Sequence, residues 1–151
     1  MATNVFRRVV APTDFSESSK QAWDLTQRLA KALGSEVMLV HVFVEAPVYG
    51  DPPAVTTAWE VVVEAQKWVA DELERWADQA RKTGIDVRTI VLTGSPASEI
   101  VRHANEAHAD VVIMGTHGRT GLSRVLLGSV AERVIRTAPC PVLTVRTPEP
   151  E

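Results

Sequence analysis

The chain has 151 residues and a formal net charge of −3, from 16 Lys and Arg against 19 Asp and Glu. That length suits a single domain, residues 1–151, which buries roughly two thirds of its unfolded surface without staples. The lone cysteine, Cys140, has no thiol partner for a disulfide or a zinc site. No basic cluster invites nucleic acid, and the apolar runs are too short for a signal-peptide core or a membrane span, so the expected setting is cytoplasmic.

Residues 5–12 (VFRRVVAP) and 36–44 (EVMLVHVFV) are rich in β-branched residues and too apolar for a one-sided sheet; they predict central strands covered on both faces. Between them, residues 16–33 place Ala22, Leu25, Thr26, Leu29, Ala30 and Leu33 on one helical stripe, and Gly34 supplies a left-handed stop. Residues 45–57 (EAPVYGDPPAVTT) hold three prolines and a glycine and predict an irregular surface connection. Val61, Ala65, Trp68, Val69, Leu73, Trp76, Ala77 and Ala80 then keep a helical period, closed by Gly84, as the packing stripe of the longest helix.

Residues 85–92 (IDVRTIVL) predict a third strand. A helix follows, with Ser95 as cap and Pro96 in its first position. After Asp110, VVIMG predicts a fourth strand, residues 129–136 a last helix, residues 141–146 (PVLTVR) a fifth strand, and TPEPE a loose tail. Five strands alternating with four helices make an α/β fold, a five-stranded parallel sheet in a Rossmann-like open sandwich with right-handed crossovers and helices on both faces. Ligands of such sheets collect at the carboxyl ends of the strands, beside the point where strand order reverses.

The window after the fourth strand is unusual. Gly115, Gly118 and Gly121 fall within seven positions, Gly128 and Ser129 open the last helix, and no Asp or Glu stands between Asp110 and Glu132, while His117, Arg119 and Arg124 do. Glycines leave no side chain before an incoming group and permit a positive φ, so successive amides can turn toward one anion. A helix start adds unpaired N–H groups and the positive end of a dipole, and a serine adds a hydroxyl. A phosphate chain is the expected occupant.

The spacing Gly115, Gly118, Gly128, Ser129 resembles the ATP-binding signature of the universal stress protein family. VVAPTDFSESS near the start, VMLVHV in the second strand and APCPVLTVR near the end agree with it in order and spacing. The resemblance implies strand order 3-2-1-4-5, a homodimer paired through the final strand, and ATP, or ADP or AMP, with magnesium, held without rapid turnover in a stress-response or signalling module. It places Pro12, Thr13 and Asp14 in a wall near base and ribose, the Val42 backbone at adenine, and Met114 against the nucleotide. It places Gly115, Gly118, Gly128, Ser129 and Val130 at the phosphates, with Thr116, His117 and Arg119 in the loop. No nucleic-acid or membrane partner, protein-held metal or catalytic residue is implied; slow ATP hydrolysis or nucleotidyl chemistry on the same fold is the alternative.

Other residues have plainer readings. Asp14 with Glu17 three positions later is also a capping arrangement. His41 reads as a packed core histidine, Cys140 as a small buried apolar residue, the tryptophan-bearing helix as ordinary packing, and His103 and His108, five apart, as no metal pair. Rival α/β chemistries lack their residues. A phosphate-accepting response regulator needs a carboxylate after the third strand, where IVLTG has none. A dinucleotide enzyme needs glycines after the first strand, where APTDFS has none, and a P-loop ATPase needs Gly-Lys-Ser or Gly-Lys-Thr, absent from the chain.

Overall fold

The structure, a computed structural model, describes residues 5–47, 49–117 and 126–148, with residues 52–55 in backbone only. Its elements are β1 (Arg8–Pro12), α1 (Glu17–Leu33), β2 (Glu36–Phe43), α2 (Pro52–Arg81), β3 (Asp86–Thr93), α3 (Pro96–Glu106), β4 (Val111–Gly115), α4 (Ser129–Thr137) and β5 (Val142–Val145). The sheet is parallel throughout and runs β3-β2-β1-β4-β5, the order expected. Strand order therefore reverses between β1 and β4.

Successive side chains of a strand point to opposite faces, and here that alternation sorts the core into two layers. Val9, Ala11, Val37, Leu39, Val111 and Ile113 face Trp23 and Ala30 of α1 and Leu73, Trp76, Ala77 and Ala80 of α2. Val10, Met38, Val40, Val42, Val112 and Met114 face Ala97, Ile100 and Ala104 of α3 and Ala131 and Val134 of α4. Continuous apolar sequence in the central strands follows directly, because neither face meets water. The outer strand β3 shows the contrast: its exposure alternates, with Val87 buried between exposed Asp86 and Arg88.

Local chemistry sets the helix ends. Helix α1 starts at Ser16, whose Oγ accepts from the Ser19 N–H at 3.2 Å, and stops at Gly34 with φ 65°. The capping role considered for Asp14 thus belongs to Ser16. Asp14 acts one step earlier, its Oδ1 accepting from the Ser16 N–H at 3.0 Å. Between them Phe15 takes φ 62°, unusual for a bulky side chain, and its N–H is held by Thr13 Oγ1 at 3.0 Å. Helix α3 has Ser95 at its cap position and Pro96 in its first turn, yet Ser95 makes no side-chain capping bond.

Two expectations require correction at α2. Residues 52–57 are helical rather than irregular, because Pro52 and Pro53 occupy the first turn behind Asp51. Proline is favoured there, since its fixed φ suits a helix and its missing N–H would have no partner anyway. The helix then outruns the sheet: 30 residues at about 1.5 Å per residue exceed the length of any strand beneath it. Val69, Leu73, Trp76, Ala77 and Ala80 are buried as predicted, whereas Val61 and Trp68 remain 64% and 52% exposed.

At the amino end of the sheet the Arg8 N–H donates to Asp110 Oδ2 at 2.7 Å, and the Asp110 N–H donates to Arg8 O at 2.8 Å. Cys140 is half-buried nearby, and burial first, then the Asp110 charge, pushes its thiol pKa up. It suits a packing role rather than a reactive one. Among the described residues, no helix is long and apolar enough to cross a membrane.

Candidate functional site

Where strand order reverses, the carboxyl ends of β1, β2 and β4 open into a cleft of about 190 Å³. Every predicted site residue that the structure describes lines it: Pro12, Thr13 and Asp14 after β1, Val42 on β2, Met114, Gly115, Thr116 and His117 at the end of β4, and Gly128, Ser129 and Val130 at the start of α4. Gly118, Arg119 and Arg124 lie outside the described residues. Ser19, Val40, His41, Pro96, Ile100 and Ala131, none of which the sequence had assigned to the site, complete the lining. Position in the α/β alternation could have indicated Pro96 and Ile100, since α3 starts just after a strand's carboxyl end.

The backbone of β2 offers polar groups to this cleft. Strand β1 pairs with β2 only as far as Pro12 opposite Val40, and Val40 O accepts from the Thr13 N–H at 2.8 Å. Residues two apart in a strand turn their backbone groups the same way. The N–H and C=O of Val42 therefore point to the β1 side beyond the end of that pairing, where an edge of matching donors and acceptors could meet them.

His41 is not the enclosed core histidine expected. It is partly exposed and lines the cleft; its Nδ1 lies 2.8 Å from Thr13 O, so this nitrogen carries the proton in that contact. Its ring stacks on Phe15 with centroids 5.1 Å apart, and Phe15 in turn meets Trp68 and Trp76 edge-on. An apolar strand pattern gave no sign of this, because His41 sits where the neighbouring strand ends.

The glycines differ from expectation in their reason. Gly128 has φ −62°, and Gly115 also lies outside the left-handed region, so neither position needs glycine's conformational freedom. Close approach is what excludes a side chain. A Cβ at Gly115 would lie 2.4 Å from Ser18 Oγ and 2.8 Å from the Ser18 carbonyl carbon, and one at Gly128 would lie 2.9 Å from Thr116 O.

Three amides beside the cleft already have acceptors within the protein. The Thr116 N–H donates to Val145 O at 3.2 Å, the His117 N–H to Ser18 Oγ at 3.3 Å, and the Gly128 N–H to Thr116 O at 2.7 Å. These three are already committed within the protein. The first N–H groups of α4, on Ser129, Val130 and Ala131, have no intrahelical acceptor, and a glycine cap has no side chain to satisfy them. His117 adds a further polar atom. Its Nδ1 contacts Thr116 Oγ1 at 2.8 Å, while Nε2 is buried without a hydrogen-bond partner among the described residues.

A parallel, doubly wound sheet with a polar-ended cleft at its reversal point defines a class of small α/β ligand-binding domains. The comparisons narrow it: the model of the universal stress protein family matches residues 6–146, and the chain belongs to that family. Universal stress protein MJ0531 of Methanocaldococcus jannaschii is 41% identical over 149 residues, covering 98% of this chain and 86% of that one. The solved structure of MJ0577, from the same organism, superposes with a TM-score of 0.83 at 30% identity, covering 97% of this chain and 99% of its own. A universal stress protein solved in complex with cAMP gives a TM-score of 0.70 at 26% identity, covering 95% and 98% respectively.

Proposed function

We propose that this chain works as a single cytoplasmic domain that binds an adenine nucleotide in the cleft, as a stress-response or signalling module. The observation that carries the reading is the first turn of α4, headed by Gly128 and opening into the cleft, whose N–H groups find no acceptor within the helix or from the glycine cap, beside the buried Nε2 of His117, which has no partner among the described residues. Anions are favoured at such a helix start by its N–H groups and dipole. The free backbone edge at Val42 suits the donor and acceptor edge of adenine, and a similar family member was solved with cAMP. In this reading Pro12, Thr13 and Asp14 flank base and ribose, Met114 lies against the nucleotide, and Ser129 and Val130 face phosphate, joined by Gly118 and Arg119. In this reading magnesium arrives with the phosphates of ATP.

Calorimetric titration with ATP, ADP, AMP and cAMP tests the reading, and saturable one-site binding of at least one of them is the expected result. A protein that binds none of the four is not a nucleotide module. Bound ATP is also expected to persist, compared with the roughly 1 to 100 turnovers per second of ordinary phosphoryl-transfer enzymes. A turnover near one per second that a cleft substitution abolishes would establish an enzyme instead.

Assembly belongs to the same proposal. Among the described strands β5 pairs only with β4, and its Leu143 is 37% exposed, leaving an apolar edge open to another strand. We assign it to a homodimer seam. Val142→Lys combined with Thr144→Pro should convert dimer to monomer in light scattering; an unchanged mass would move the interface elsewhere.

A further inference from the structure

We infer that Ser18 is a positioning residue for phosphate, holding the chain where it leaves β4 so that the cleft keeps its shape beneath the nucleotide. The inference rests on the adenine-nucleotide reading above but concerns a residue outside the glycine spacing of the window after β4 and outside the cleft lining. Ser18 is the second residue of α1 and is buried, at 5% exposure. Its Oγ accepts from the His117 N–H at 3.3 Å, across 99 positions of sequence. The same serine is what a Cβ at Gly115 would strike, so α1 and the end of β4 meet backbone against side chain with no room between them.

Among the described residues, three bonds from backbone amides hold the neck through which the chain departs at Thr116 and His117 and returns at Gly128. Two are backbone to backbone, from the Thr116 N–H to Val145 O and from the Gly128 N–H to Thr116 O. Only the third depends on a side chain, the hydroxyl of Ser18. Its removal should free the His117 amide while leaving both backbone bonds, the α1 cap at Ser16 and the apolar core in place. Nothing at the Val42 backbone or the Pro12 wall is touched. Loss of Ser18 Oγ should therefore be felt by the phosphate end of a ligand and not by its base.

Ser18→Ala is the test, because it removes one oxygen from a tight site and adds no atom. Calorimetry with adenosine, AMP and ATP should show affinity for both phosphate-bearing ligands falling three- to tenfold, with adenosine unchanged within twofold. An equal fall for all three, or no fall for any, would assign Ser18 to helix packing and overturn the inference. Amide hydrogen exchange on the ligand-free protein supplies a second readout: exchange at His117 should rise at least tenfold while the β1 and β4 amides hold. If the parent protein binds no nucleotide, the functional reading falls, and His117 exchange still decides whether Ser18 holds this neck. Unchanged His117 exchange overturns the inference on its own.

Discussion

Gly115→Val is expected to lower the melting temperature by about 6 to 12 °C, on a cost of roughly 3 kcal/mol and about 2 to 4 °C per kcal/mol for a chain of this size. The first atom of the new side chain would stand 2.8 Å and 2.9 Å from the Ser18 carbonyl carbon and oxygen. Those atoms belong to the first turn of α1 and cannot rotate aside as a side chain could. Relief requires α1 to move off β4, a strand buried along its whole length, and so to open the packing of Trp23 and Ala30. Gly34→Ala is the matched control. A Cβ there meets nothing within 4 Å, and the left-handed φ of 65° leaves only local strain, on the order of 1 kcal/mol. Equal melting temperatures for Gly115→Val and the parent would show that α1 and β4 are not in this contact.

The second large effect is on binding. Gly128→Val should weaken ATP binding by about tenfold to about ten-thousandfold or more, because hydrogen bonds to a charged group contribute about 1.5 to 3 kcal/mol each and displacing the start of α4 removes one or two together. The geometry supplies the cause. A Cβ at Gly128 would lie 2.9 Å from Thr116 O, the atom that accepts from the Gly128 N–H at 2.7 Å, so valine forces the neck apart and carries Ser129, Val130 and Ala131 with it. Ser129→Ala removes one hydroxyl and leaves the backbone alone, so its loss should be smaller, about tenfold or less. Circular dichroism and melting come first, to show that both variants fold. A folded Gly128→Val protein that binds ATP as tightly as the parent would remove the phosphate from the start of α4.

Both substitutions turn on contacts whose residues were visible in the sequence and whose reasons were not. Gly115 and Gly128 stood out by spacing, and the expected explanation was backbone freedom and access for a ligand. In the structure each is a glycine because another backbone passes beside it. His41 was assigned to the core from its apolar neighbours, yet it is partly exposed, with its ring stacked on Phe15 and its Nδ1 on Thr13 O, because β1 ends at Pro12 while β2 continues to Phe43. Pro52 and Pro53 looked like loop residues because proline breaks a helix anywhere except its first turn, and that is where they stand. Val61 and Trp68 kept the helical period of the core but not its burial, since periodicity records which face an apolar residue occupies and not whether a sheet lies beneath it.

What the sequence determined by itself was local and periodic. Alternating strand and helix patterns specified a parallel α/β sheet, Gly34 ended α1, Pro96 opened α3, Gly128 and Ser129 opened α4, and the carboxylate-free window pointed to the carboxyl end of β4, where the cleft lies. These signals are legible because they depend on residues a few positions apart, within one turn or one strand. The strand order followed from family resemblance, and only the tertiary structure decided which amides are already committed, which glycines are crowded and which hydroxyl holds His117. The contact between Ser18 and His117 spans 99 positions and is set by how α1 lies against β4. No single-chain pattern records such a distance, because it arises only when two backbones are packed face to face.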